Sequence, residues 1–131
     1  MITRVGDTDI QPVHKATCHC GAVELALTLP NGIEEPRRCN CSMCRRRGTV
    51  VGTILLSDLE IVKGREALQL YRFNTHTARH YFCTICGIHT HHQRRSNPQQ
   101  YSYNIGCLEG VNPFELDEVT IENGIHHPCD R

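Results

Sequence analysis

Residues 22–29 read AVELALTL, and apolar and polar positions alternate: Val23, Leu25, Leu27 and Leu29 fall on one face, Glu24 and Thr28 on the other. Period two predicts a half-buried strand, which Pro30, Asn31 and Gly32 end. Thr49–Leu56, rich in β-branched residues, reads as a buried strand. Leu59–Lys63 is a short strand stopped by Gly64, and Ala67–Phe73 alternates again. Ala78–Phe82 and Ile88–Gln93 are expected to pair around the turn Cys83–Gly87, with two more short strands at Tyr101–Cys107 and Glu118–Ile121. No window longer than about ten residues holds a clean 3.6-residue period, so helix is expected only in short turns near Ser42–Arg47 and Leu108–Val111. The pattern predicts a mainly β fold of short antiparallel strands.

A length of 131 residues suits one domain, spanning 1–131. Lys and Arg total 14 against 14 Asp and Glu, so bulk charge makes no case for nucleic acid or an anionic membrane. No apolar run approaches the ~20 residues of a membrane span. The opening MITRVGDTDIQPVHK has no apolar signal core, which gives the expectation of a cytoplasmic protein.

Nine Cys and nine His change the picture. An odd number of cysteines cannot pair completely within one chain, and a reducing compartment disfavours disulfides. Metal ligation and thiol chemistry remain, and the spacings discriminate. Cys83 and Cys86 form a CxxCG turn that can supply two of the four ligands of a tetrahedral zinc ion, the glycine accepting a positive φ. Cys18 and Cys20, in CxCG, can supply the other two, closing a structural site that ties residues 18–20 to 83–86. Structural zinc adds on the order of 10–16 kcal/mol of apparent binding energy to the folded state alone. Cys39, Cys41 and Cys44 offer three thiolates within CxCxxC. Three protein ligands leave a vertex open, as in catalytic zinc; a His or Cys107 as fourth ligand would close it. Iron–sulfur ligation is disfavoured, because the usual nearby fourth cysteine is missing.

The order CHCGAVEL, CNCSMCRRRG and YRF…RHYFCTICG resembles the glutathione-dependent formaldehyde-activating enzyme family, grouped with the centromere-protein-V-like domains. The resemblance covers about residues 14–110, and the following THHQRRSNPQQYSYNIGCLEG is similar to a bacterial subgroup of short members. The resemblance implies a zinc-binding β-tent with two Zn²⁺ ions. It gives Cys18, Cys20, Cys83 and Cys86 to the structural ion. Cys39, Cys41 and Cys44 go to a catalytic ion whose fourth position is open to water or a thiol substrate. The activity implied is condensation of formaldehyde with glutathione to S-(hydroxymethyl)glutathione, with a small thiol and a small aldehyde as the partners. The chain is shorter than the enzymes that named the family, so a carbon–sulfur lyase type is better supported than a particular aldehyde. The alternative is a non-catalytic module with both zinc ions structural. The open three-cysteine loop favours the enzyme, and the short length favours the module.

Further residues carry two readings each. Arg45, Arg46 and Arg47 suit a carboxylate clamp for a glutathione-like ligand, or a solvated basic turn, or a hydrogen-bonding shell around zinc thiolates. Ser42 or a nearby His is a candidate proton relay. His89 and His91 are expected on one strand face with His92 opposite. They are candidate ligands or general acids, against satisfied core or surface imidazoles. Arg94 and Arg95 suit a second anion contact, and are expected rather at an exposed hairpin end. His19 lies between two ligands, Cys107 reads as a small buried hydrophobe, and His126, His127 and Cys129 belong to a polar tail.

Overall fold

The computed structural model describes residues 1–72, 79–94 and 96–122. Arg95, His126, His127 and Cys129 lie outside the described residues. In chain order the strands are β1 (Arg4–Val5), β2 (Thr8–Asp9), β3 (Val13–Thr17), β4 (Glu24–Thr28) and β5 (Arg37–Cys39). Helix α1 (Ser42–Arg47) follows, then β6 (Val51–Leu55), β7 (Leu59–Lys63), β8 (Leu68–Tyr71) and β9 (Arg79–Cys83). The chain continues through β10 (His89–Gln93), β11 (Gln100–Asn104) and β12 (Thr120–Glu122). The fold is mainly β, and α1 is the one α-helix among the described residues.

A seven-stranded sheet runs β12-β5-β6-β11-β10-β9-β8, antiparallel except for the β12–β5 pair. A second sheet runs β3-β4-β7, and β1 pairs with β2. The alternation at 22–29 does what period two requires: Val23, Leu25, Leu27 and Leu29 are buried, packing with Ile33, Ile54, Tyr103, Ile105 and Leu108 into one core. Each fully buried side chain of this size contributes roughly 1.5–3 kcal/mol. Gly52 is set by a close approach: a Cβ there would stand 2.6 Å from the Tyr103 hydroxyl, whose ring fills the space.

Two short elements differ from the expectation. Leu108–Val111 is not helical; single 3-10 turns flank it at Ile105–Cys107 and Pro113–Glu115, each opened by an asparagine side chain accepting a backbone N–H. Arg94 is not at an exposed end. Its side chain is 16% exposed and lies 3.8 Å from Glu35 and 3.9 Å from Glu122. The polar N-terminal stretch is also structural, because β3 buries His14 and Ala16. The His14 ring accepts from the Gln11 N–H at 3.0 Å and donates to the Glu109 carbonyl at 2.9 Å.

Candidate metal centres and a histidine cluster

Cys18 and Cys20 follow β3, Cys83 ends β9, and Cys86 lies in the β9–β10 turn, so the four come from different sheets. Their sulfurs all lie within 4.8 Å of one another, and none is in a disulfide. Cys18 Sγ is 3.6 Å from Cys20 Sγ, which is 3.8 Å from Cys83 Sγ. A tetrahedron with Zn–S bonds of about 2.3 Å has S···S edges of about 3.8 Å, so the donor set fits zinc in size and charge. Two turns shape it. The Gly87 N–H donates to the Cys83 carbonyl at 2.7 Å and the Gly21 N–H to the Cys18 carbonyl at 3.2 Å. Both glycines have φ near +80°, where a side chain would be strained. The Val23 N–H adds a 3.3 Å bond to Cys18 Sγ. Although desolvation opposes it, hydrogen bonding from backbone and neighbouring thiols draws the Cys86 thiol down to about 6.

Cys39, Cys41 and Cys44 also place their sulfurs within 4.8 Å of one another, and among the described residues no fourth sulfur joins the group. Cys39 ends β5, Cys41 is the N-cap of α1, and Cys44 lies in its first turn. The cap is a sulfur: Cys41 Sγ accepts from the Cys44 N–H at 3.2 Å, replacing the usual oxygen cap. The Cys41 N–H in turn reaches Cys39 Sγ at 3.5 Å. Hydrogen bonds with Cys39 and Cys44 hold Cys41 far below the ordinary thiol range, while hydrogen bonds with Cys39 and then Cys41 push Cys44 up. Cys39 and Cys44 border a shallow cleft of about 220 Å³, also lined by Arg38, Arg45, Thr49 and Ile121.

The three consecutive arginines separate. Arg45 and Arg46 are exposed, and Arg46 bonds the Ser42 carbonyl at 2.8 Å. Arg47 turns inward, and its Nη2 lies 3.2 Å from His80 Nδ1. Ser42 is exposed at the start of α1.

The histidines depart from strict alternation. A β-bulge falls between His89 and His91 where β10 pairs with β9. An extra residue inverts strand parity and re-aims a side chain. His89 therefore shares a face with His92, not His91, and both converge on His80 directly across the ladder. His89 Nε2 is 3.2 Å from His92 Nδ1, and the His80 and His92 rings are 4.7 Å apart. Burial, then the charge of Arg47, pushes the His89 pKa well below its ordinary value. Burial, then His80 and Arg47, does the same to His92. His91 occupies the opposite face, stacked on Tyr81 at 4.7 Å and edge-on to Tyr101 at 5.0 Å. Cys107 is buried, and desolvation pushes its thiol up to about 12; its sulfur faces the His89 carbonyl at 3.8 Å.

Sequence reasoning passed over Arg37, the residue that secures β5. It is buried, donates to Thr53 Oγ1 at 2.6 Å and to Ser102 Oγ, and pairs with Glu122 at 3.3 Å. Alternation around an arginine at a buried position carries no apolar signal. A buried guanidinium here joins β5, β6, β11 and β12, and so sets the strand end that presents Cys39.

Residues 13–121 match the family model described as glutathione-dependent formaldehyde-activating enzyme. Among solved structures, the chain is similar to the crystal structure of a Rhodobacter sphaeroides protein, with 59% sequence identity and a TM-score of 0.78. That match covers 82% of this chain and 98% of the other.

Proposed function

Because this chain belongs to the glutathione-dependent formaldehyde-activating enzyme family, we propose that it is a zinc-dependent enzyme of the carbon–sulfur lyase type. It joins a thiol such as glutathione to formaldehyde or another small aldehyde. The observation that carries the reading is the contrast between the two cysteine groups. One offers four sulfurs, enough for a complete tetrahedron; the other offers three, and Cys39 and Cys44 of these line a cleft.

Cys18, Cys20, Cys83 and Cys86 would hold a structural zinc, and Cys39, Cys41 and Cys44 a second ion with one vertex facing the cleft. That second ion, when bound, supplies a Lewis-acid centre that favours the thiolate form of an incoming sulfur. The chain's own part is positional. The Cys44 N–H fixes Cys41, β5 fixes Cys39, and Arg38 and Arg45 line the cleft with positive charge that attracts an anionic thiol. The reaction adds S–H across C=O. The thiolate sulfur bonds to the aldehyde carbon, the carbonyl π pair moves to oxygen, and that oxygen takes a proton. No oxidant or reductant is needed.

The condensation also runs unaided, so the test is two-dimensional exchange NMR on an equilibrated mixture of glutathione and formaldehyde. Zinc-loaded protein is expected to speed interconversion, and Cys44→Ser to abolish the gain. Interconversion no faster than with zinc salt alone would overturn the proposal.

A further inference from the structure

Beside the three-cysteine centre lies a group of donors that the reaction above does not use: Arg47, His80, His89 and His92. Arg47 Nη2 contacts His80 Nδ1 at 3.2 Å. A guanidinium only donates, so Nδ1 is the acceptor and the His80 ring proton resides on Nε2. Among the described residues, Arg47 Nη1 is buried with no hydrogen-bond partner, and so is Nδ1 of His89, a residue 6% exposed. His89 Nε2 and His92 Nδ1, 3.2 Å apart, share one N–H. Buried polar atoms without partners are rare and point to a missing ligand.

The surrounding charge identifies that ligand's sign. Among the described residues no carboxylate pairs with Arg47. The nearby acids are committed elsewhere: Glu122 to Arg37 and Arg94, and Glu35 to Arg94 and Thr53. Arg37 adds further positive charge near His92. The three rings alone have the spacing of a metal site, with ligand nitrogens within 4.8 Å of one another. The charges that face Arg47 are those of Cys44 and Cys41, which a zinc ion held by them would offset; a divalent cation among the three rings would then meet the guanidinium with only neutral ligands, and Coulomb repulsion at such separations is strong. An anion meets the opposite field. A guanidinium fork flanked by imidazole N–H groups matches the two oxygens of a carboxylate. Arg47 and His92 are half-buried, while His80 and His89 are buried.

We propose that Arg47, His80, His89 and His92 form a carboxylate-binding pocket. Cys44 and Arg47 stand about one turn apart on α1, which places the pocket on the flank of the three-cysteine centre. The carboxylate it takes belongs to the thiol substrate, a step that rests on the lyase reading above.

Acetate titrated into zinc-loaded, ¹⁵N-histidine-labelled protein tests the pocket. A single saturable shift of the His80 and His92 ring signals is expected, kept in Arg46→Gln and lost in Arg47→Gln. If Arg47→Gln does not fold, His92→Gln serves in its place and should weaken acetate by about ten-fold or more. No saturable shift, or an undiminished one in both variants, overturns the pocket. So does a third equivalent of cobalt with a nitrogen-only spectrum that His92→Gln removes.

The substrate assignment is read separately, from 3-mercaptopropionate and 2-mercaptoethanol binding to the cobalt-loaded protein. A preference for the mercapto acid of about ten-fold or more, lost in Arg47→Gln, supports it; equal binding overturns it. If neither thiol perturbs the cobalt spectrum, the lyase reading fails, while the acetate titration still decides the pocket.

Discussion

Arg37 shows how much one buried cation can organise. Its guanidinium satisfies Thr53 and Ser102 on two strands and pairs with Glu122 on a third. Replacing it by leucine strands these polar partners, at a cost of about 2–4 kcal/mol. Urea denaturation of the metal-loaded protein should show that loss, and an unchanged midpoint would contradict the role given to Arg37. His91 makes a pH prediction. Burial lowers its pKa to about 4, below the ordinary 6.5. Between those values the unfolded chain binds a proton that the folded one refuses, so stability rises with pH across that window and is lost as pH falls through it. The contribution is on the order of 3 kcal/mol. Stability curves of wild type and His91→Gln should converge as pH drops from 7 towards 4; parallel curves would count against it. Arg37 and His91 were hard to read in the sequence for the same reason. Polar residues on buried faces break the apolar alternation that marks a strand, whereas Val23, Leu25, Leu27 and Leu29 display it plainly.

At the scale of elements, the legible pieces are those with local punctuation. Leu59–Lys63 and Ser42–Arg47 have the bounds their patterns predict, because Gly64 ends the one and the Cys41 cap and Gly48 bound the other. β5 was missed because its three residues, Arg37–Cys39, carry no apolar stripe. The face shared by His89 and His92 was misassigned because a bulge depends on the partner strand, and a period-two reading knows nothing of partners. The two cysteine elements differ in what they hold. The CxCG and CxxCG turns join β3 of one sheet to β9 and β10 of the other, while the CxCxxC loop caps a single short helix. Cys83→Ser should therefore cost the fold itself, since structural zinc is worth on the order of 10 kcal/mol or more. Cys44→Ser should keep the fold and lose one metal. Circular dichroism with metal analysis on both variants checks this; a folded Cys83→Ser chain retaining two zinc ions would contradict it.

For the molecule as a whole, the three-stranded and seven-stranded sheets meet through the shared core and the four-cysteine group, and the three-cysteine group lies outside that core. The clustering of the cysteines was visible in their spacing, because ligand turns are local. The histidine cluster was not, because His80 and His92 come from two strands whose register only the folded sheet defines. The proposed reaction requires that Cys39, Cys41 and Cys44 leave a vertex for an external sulfur. With three thiolate ligands from the chain instead of four, this site should bind metal more weakly than the four-cysteine site and exchange first. The direct measurement is the absorption spectrum of protein with cobalt in that site, recorded before and after addition of glutathione. A change from a three-sulfur, one-oxygen spectrum to a four-sulfur spectrum is predicted; a four-ligand protein site from the outset, indifferent to added thiol, would contradict the account.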